Sequence, residues 1–92
     1  MTNALRLSAT STSTVTNAAA TLFTNSTDKT VTVRFSANVD SHISTTGTAT
    51  TDSAYVFGGL VELIAVDPGK SISVIRSGDQ DGIARATVVE RV

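Results

Sequence analysis

Two short stretches of this 92-residue chain carry side chains that could bind a metal or take part in catalysis. Asp79 and Asp81 in GDQDG match the start of a calcium loop, but the further acidic ligands and the distal glutamate are missing. His42 stands near Asp40 in DSHIS, yet a catalytic triad is assembled from separated segments and no nucleophile elbow occurs here. The sequence therefore predicts a turn at GDQDG, a structural histidine and no enzymatic activity.

Two further motifs resemble binding or modification sites. No lysine and no helix start follow Gly58-Gly59, so we interpret this pair as a bulge or bend in a strand, not a phosphate-binding loop. Asn25-Ser26-Thr27 matches the glycosylation acceptor pattern, but the N-terminus shows no secretory signal, so we interpret the match as accidental.

The composition limits the classes of function. The chain has no cysteine and one histidine, so it offers no disulfide framework and no imidazole cluster, and we expect neither a metal nor another cofactor. Its seven Lys and Arg are scattered and its net charge is −1, which argues against a nucleic-acid partner. No apolar run could span a membrane, and we expect synthesis in a cytoplasm. So short a chain buries a small core, and association with another body would stabilise it.

The elements that hold these motifs are predicted to be strands. In TVTVRFSANV, residues 30–39, apolar and polar side chains alternate strictly, as in a half-buried strand. A first strand is predicted from Leu5. Its continuation TSTSTVT alternates Thr10, Thr12, Thr14 and Thr16 with Ser11, Ser13 and Val15, and favours an edge strand whose partner lies on a neighbouring subunit. We expect residues 1–20 to form such an edge strand or an extended arm, and residues 1–16 to be dispensable for folding.

Turn signals divide the rest of the chain. NSTDK predicts a hairpin between the Leu22-Phe23 segment and the strand that begins near Val31. Asp67-Pro68-Gly69-Lys70 predicts a type II turn that pairs residues 61–66 with 71–76 as a second hairpin. A last strand is expected at residues 84–90. Seven or eight short strands without a helix predict a single all-β domain, an antiparallel β-sandwich of jelly-roll or immunoglobulin-like type.

The segment LVELIAV is apolar on both faces, so it is either central in a thick core or covered by another chain. In so small a domain we favour the second alternative. The predicted interface residues combine the threonine ladder with this apolar region: Thr10, Thr12, Thr14, Thr16, Tyr55, Phe57, Leu60 and Ile64.

From Val31 onward, about two thirds of the chain resembles small structural proteins encoded by tailed bacteriophages. Those proteins pair a VRF-type strand with an H-I segment, a TATT-like stretch, an aromatic-glycine segment, a PGKSISVI strand and a C-terminal DG…ATVVE strand. The pieces here are Val33-Arg34-Phe35, His42-Ile43, residues 48–51, 55–59, 61–75 and 81–90.

The resemblance implies a virion component, a capsid decoration or cement protein that binds the major capsid protein or another virion protein. It favours a homo-oligomer, with a trimer preferred. A tail, collar or head-fibre adaptor is the alternative within viruses. A carbohydrate-binding β module is the alternative from another class, although the chain has no tryptophan and Phe35 falls on the apolar face of its strand.

Overall fold

In a computed structural model, the backbone is described for residues 5–91 and the side chains for residues 10–89. This part of the chain contains eight strands and no helix, as the alternation and turn signals predict. The strands are β1 (Leu5–Val15), β2 (Ala20–Thr24), β3 (Val31–Ala37), β4 (Ser41–Ser44), β5 (Ala54–Val56), β6 (Val61–Val66), β7 (Ser71–Arg76) and β8 (Gly82–Arg91).

The strands form two four-stranded antiparallel sheets, which confirms the predicted all-β sandwich. The first sheet has the order β1-β8-β3-β6, and the second has the order β2-β7-β4-β5. The chain crosses between the sheets at every connection except β4 to β5, which is the one hairpin among the described strands. Strands β1 and β2 therefore lie at one side of the sandwich, and β5 and β6 lie at the other.

Both predicted hairpins are wrong. The turn at residues 67–70 forms as expected, because Lys70 N donates to Asp67 O at 3.0 Å and Gly69 has a φ of 76°. However, β6 pairs with β3, whereas β7 pairs with β2 and β4. The turn joins two sheets because Val66 and Ile72, which flank it, are both fully buried in the core between them. The NSTDK segment joins β2 to β3 across the sheets in the same way.

The core lies between the two sheets. Val33 and Phe35 project into it from β3, and Ile72 and Val74 project into it from β7, all without exposed surface. The apolar side chains that alternate along β3 therefore face the core, as the sequence predicts. On β2, a register shift between Thr21 and Phe23 lets Leu22 and Phe23 both contact the core.

Within the N-terminal segment, Leu5–Val15 form an edge strand whose partner belongs to the same chain, and residues 1–4 of the predicted strand or arm lie outside the described residues. Strand β1 pairs with β8 from Leu5 to Val15, with one register shift between Leu7 and Thr10. Val15 is fully buried in the core. The expectation that residues 1–16 are dispensable for folding is therefore not supported, since their removal takes away an edge strand and a core side chain.

Candidate interaction surface

The large hydrophobic side chains that are exposed in the described part of the chain all lie between residues 55 and 63. They are Tyr55, Phe57, Leu60, Val61 and Leu63, with exposed fractions of 44%, 59%, 50%, 58% and 66%. We call these five residues the apolar edge, because β5 and β6 are the edge strands of the two sheets at this side of the sandwich. Scattered single apolar residues are ordinary on a protein surface, but five large ones within nine consecutive residues make this edge a candidate binding surface.

Two glycines build the connection that carries this surface. The Gly58-Gly59 pair lies in a turn between β5 and β6, where Leu60 N donates to Phe57 O at 3.4 Å. Gly59 has a φ of 86°, which side chains disfavour. A Cβ on Gly58 would lie 2.8 Å from the Val39 carbonyl carbon. The prediction of a bulge or bend within a strand is wrong, because here the chain leaves one sheet for the other.

Three rings are arranged side by side on the outer side of the second sheet. The centroids of Tyr55 and Phe57 are 4.9 Å apart at 82°, an edge-to-face contact, and those of His42 and Tyr55 are 5.4 Å apart at 59°. His42 Nδ1 lies 2.8 Å from Ser53 O, so the ring connects β4 to the loop that follows it. His42 therefore has contacts that suit a structural residue.

The Asp40 side chain is hydrogen-bonded to the turn between β5 and β6. Its Oδ1 accepts the Gly58 backbone N–H at 2.7 Å. This hydrogen bond, followed by one from the Tyr55 hydroxyl, lowers the pKa of Asp40 below its ordinary value. The same contact with the Asp40 carboxylate raises the pKa of Tyr55, because it favours the protonated phenol. Asp40 thus holds the Phe57–Leu60 turn through the backbone of Gly58.

A shallow polar cavity of about 340 Å³ lies next to Asp40. Its lining comprises Asn38, Val39, Asp40, Gly58, Gly78, Asp79 and Gln80. Of the two aspartates in GDQDG, Asp79 faces this cavity and Asp81 forms an ion pair with Arg76. Among residues 10–89, no three His, Asp or Glu side chains come together as a metal site would require.

The threonine ladder lies on the outer face of the first sheet. Thr10, Thr12 and Thr14 are exposed there, and Thr10 Oγ1 lies 2.8 Å from Thr87 Oγ1 of β8. The register from β1 through β8 and β3 to β6 places Thr10 in one row with Leu63. It places Thr12 in one row with Val61. The threonines and part of the apolar edge therefore share one face, at its opposite margins.

The structure brings three of the predicted interface residues together and separates the rest. Tyr55, Phe57 and Leu60 form one surface, which we call the aromatic turn. Thr16 lies beyond the end of β1, where its carbonyl accepts from Arg76 N at 2.9 Å. Ile64 is half-buried and packs against the core.

The sequence did not single out Val61 and Leu63, whose side chains the structure exposes. No signal in the sequence identifies them, because LVELIAV is apolar on both faces. In the folded chain, pairing with β3 turns Ile64 and Val66 toward the core and Val61 and Leu63 away from it.

No protein-family model matches the chain, and no curated protein is significantly similar to it. Residues 5–91 contain no helix that could cross a membrane.

Proposed function

We propose that this chain is a non-enzymatic structural protein of a bacteriophage virion, a decoration protein that docks on the major capsid protein through the aromatic turn. The single observation that carries the proposal is the exposure of Tyr55, Phe57 and Leu60 on a turn that Asp40 and two glycines hold in place. Aromatic and large aliphatic groups on a fixed support are the usual anchors of protein interfaces. The resemblance of residues 31–90 to phage structural proteins supplies the virion setting.

We propose further that the sandwich is a jelly roll. Strand β1 pairs with β8 and β3 with β6 in one sheet, while β2 pairs with β7 and β4 with β5 in the other. This nesting of early strands with late ones is expected when a long antiparallel ribbon folds over itself as a double Greek key. Viral capsid and lectin domains both use jelly rolls, so the topology supports the proposal without identifying a partner.

A single aromatic turn would bind weakly. Full burial of a Phe or Leu side chain contributes roughly 1.5 to 3 kcal/mol, and about half of each anchor is exposed in the free protein. Burying the three anchors would therefore contribute about 2 to 5 kcal/mol, less than or similar to the roughly 4 to 15 kcal/mol that association costs. Attachment to a lattice by several linked copies would overcome this difference.

Binding to purified capsids that lack the protein tests the docking surface. Phe57→Asp should abolish or strongly weaken co-sedimentation, while Thr21→Asp, an exposed change on β2 at the opposite side of the sandwich, should bind as the wild type does. Equal binding by both variants would contradict the assignment of the aromatic turn.

Mass spectrometry of purified virus particles tests the virion assignment itself. A decoration protein should be present in hundreds of copies per particle, whereas a tail, collar or head-fibre adaptor should be present in a few. Absence of the chain from the particles would refute both viral functions.

A carbohydrate-binding module is the second candidate, and one observation favours it. Tyr55 and Phe57 are both exposed, and Asp40, which is bonded to the turn that follows them, lines the polar cavity together with Asp79 and Gln80. Exposed rings beside carboxylate and amide groups suit the apolar face and the hydroxyls of a sugar. Binding on a glycan array that is lost in Tyr55→Ala would favour this function over capsid docking.

A further inference from the structure

We propose that the first sheet continues from one copy of the protein to the next, with β1 of one copy adding to β6 of another in a head-to-tail arrangement. This association uses strand edges and not the aromatic turn. It therefore holds whether or not the proposed capsid partner is correct.

The directions of the strands permit this continuation. Within residues 5–91, β1 and β6 are the two edges of the first sheet, and neither pairs with another strand on its outer side. Each neighbouring pair in this sheet is antiparallel, and the sheet has four strands, so β6 runs opposite to β1. A second copy in the same orientation thus presents its β1 antiparallel to β6, and the alternation of the sheet is preserved.

Both edges are open to strand addition. Strand β6 pairs with β3 in an unbroken register from Val61 to Val66, and it contains no proline, lysine or bulge. From Thr10 to Val15, β1 is regular, uncharged and rich in β-branched residues. Natural edge strands are usually protected by such breaks or charges, because their free N–H and C=O groups pair readily with another chain. Six residues of β6 could form about six backbone hydrogen bonds.

The alternation of the side chains fixes which registers are allowed. Leu63 and Thr12 are both on the outer face, so a register that places them opposite each other keeps outer residues beside outer residues. A slip by one residue would turn the apolar side chain to the wrong face. In the centred register, Val61 lies beside Thr14, and the methyl groups of both threonines cover part of the exposed Val61 and Leu63 side chains.

Charge favours pairing of the free β6 edge with β1 of a second copy over its pairing with β6 of that copy. Glu62 is the one charged residue of β6. Two β6 strands paired about a two-fold axis at Leu63 would place their Glu62 carboxylates diagonally across from each other, where long side chains still interact and like charges are unfavourable. In the head-to-tail pair, Glu62 lies beside Ser13, whose hydroxyl can donate to it. Two paired β1 strands would leave Val61 and Leu63 exposed.

A head-to-tail contact leaves the same two edges free at the ends of every incomplete assembly. Such contacts close into a ring when the rotation between copies allows it and otherwise extend into a filament. A trimer would be one such closed form.

Site-directed cross-linking tests the arrangement, since the chain has no cysteine of its own. Thr12→Cys and Leu63→Cys are prepared separately, shown to fold by circular dichroism, mixed and oxidised. The mixture should form disulfide-linked dimers, and neither variant alone should. Thr32→Cys, exposed in the middle of the same face, is the matched control and should not cross-link with either. Should either variant fail to fold, Thr14→Cys with Val61→Cys probes the same register.

Three results would overturn the proposal. Dimers of Leu63→Cys alone would show a two-fold contact between β6 strands. If Thr32→Cys cross-linked with either variant as much as Thr12→Cys and Leu63→Cys do with each other, the disulfides would come from random collisions between molecules. A lack of cross-links in both pairs, together with a monomeric wild type in analytical ultracentrifugation, would show that the edges do not associate. A wild-type protein that cross-links as expected but does not bind purified capsids would contradict the proposed function alone.

Discussion

Asn25→Ala should be among the most destabilising single changes in the protein. The Asn25 side chain is 1% exposed, and its Nδ2 donates to Lys29 O at 2.7 Å and to Val66 O at 2.9 Å. Its Oδ1 accepts from Thr27 N at 3.0 Å and from Thr27 Oγ1 at 2.6 Å. Asn25 therefore ties the end of β2 and the loop after it to the end of β6 in the opposite sheet.

The expected loss of stability in Asn25→Ala follows from the polar groups that lose a hydrogen-bond partner. The Val66 carbonyl is bonded to Asn25 in a buried environment, and a buried polar group without a partner costs about 1 to 3 kcal/mol. The Lys29 carbonyl and the Thr27 N–H lie nearer the solvent, and we assign them about 0.5 kcal/mol each. The total is about 2 to 4 kcal/mol, a large part of the roughly 5 to 14 kcal/mol expected for a domain of this size.

Equilibrium unfolding in urea measures this difference. Asn25→Ala should lower the free energy of unfolding by the amount given, with a fall in melting temperature of roughly 10 to 25 °C. Asn25→Asp should be at least as destabilising, because a carboxylate has no N–H to donate to the two carbonyls. The matched control is Asn17→Ala, since Asn17 is exposed and its side chain has no hydrogen bond within the described residues. If Asn25→Ala were as stable as Asn17→Ala, the reasoning would be refuted.

Three further predictions concern turns, pH and metals. Gly69→Val should lower the free energy of unfolding in urea by about 1 to 2 kcal/mol, because the backbone φ at Gly69 is 76°, although the space around a Cβ there is open. Gly47→Val is the control and should lower it less, since the space at Gly47 is equally open and its φ is not positive. Because the pKa of Asp40 is lowered in the folded protein, the ionised carboxylate adds to stability at pH values above the ordinary aspartate pKa. This contribution is lost as the pH falls through the pKa of the folded state, so Asp40→Asn should flatten the acid limb of a stability–pH curve. Thermal melts with calcium and with a chelator should superimpose, and a shift of several degrees would reveal a site at Asp79 and Asp81.

Several elements were predictable because their signals are local. The alternation in residues 30–39 identifies β3, which spans Val31–Ala37, since side chains in a strand point alternately to the two faces. The turn at residues 67–70 was predictable because proline presets one backbone angle and Gly69 accepts a positive φ. Tyr55, Phe57 and Leu60 were singled out in the sequence as apolar residues beside two glycines, and all three side chains are exposed.

Other features depend on contacts between distant parts of the chain. Asn25 looks like a glycosylation acceptor in the sequence, but its donor reaches Val66, 41 residues away, so its structural importance is visible only in the folded chain. Glycine, proline and asparagine at a turn make the chain reverse direction, yet they do not decide whether the flanking strands bond to each other or face each other across a core.

The amino-acid sequence by itself therefore determined that this protein is an all-β sandwich, where most strands lie, and that β1 is polar enough for an edge. Only the tertiary structure decided which strands pair and which face of β6 meets the solvent. The segment LVELIAV is apolar on both faces, so its own pattern does not choose between them. Pairing with β3 makes the choice, because it sets Ile64 beside the buried Val33 and leaves Leu63 opposite the exposed Arg34.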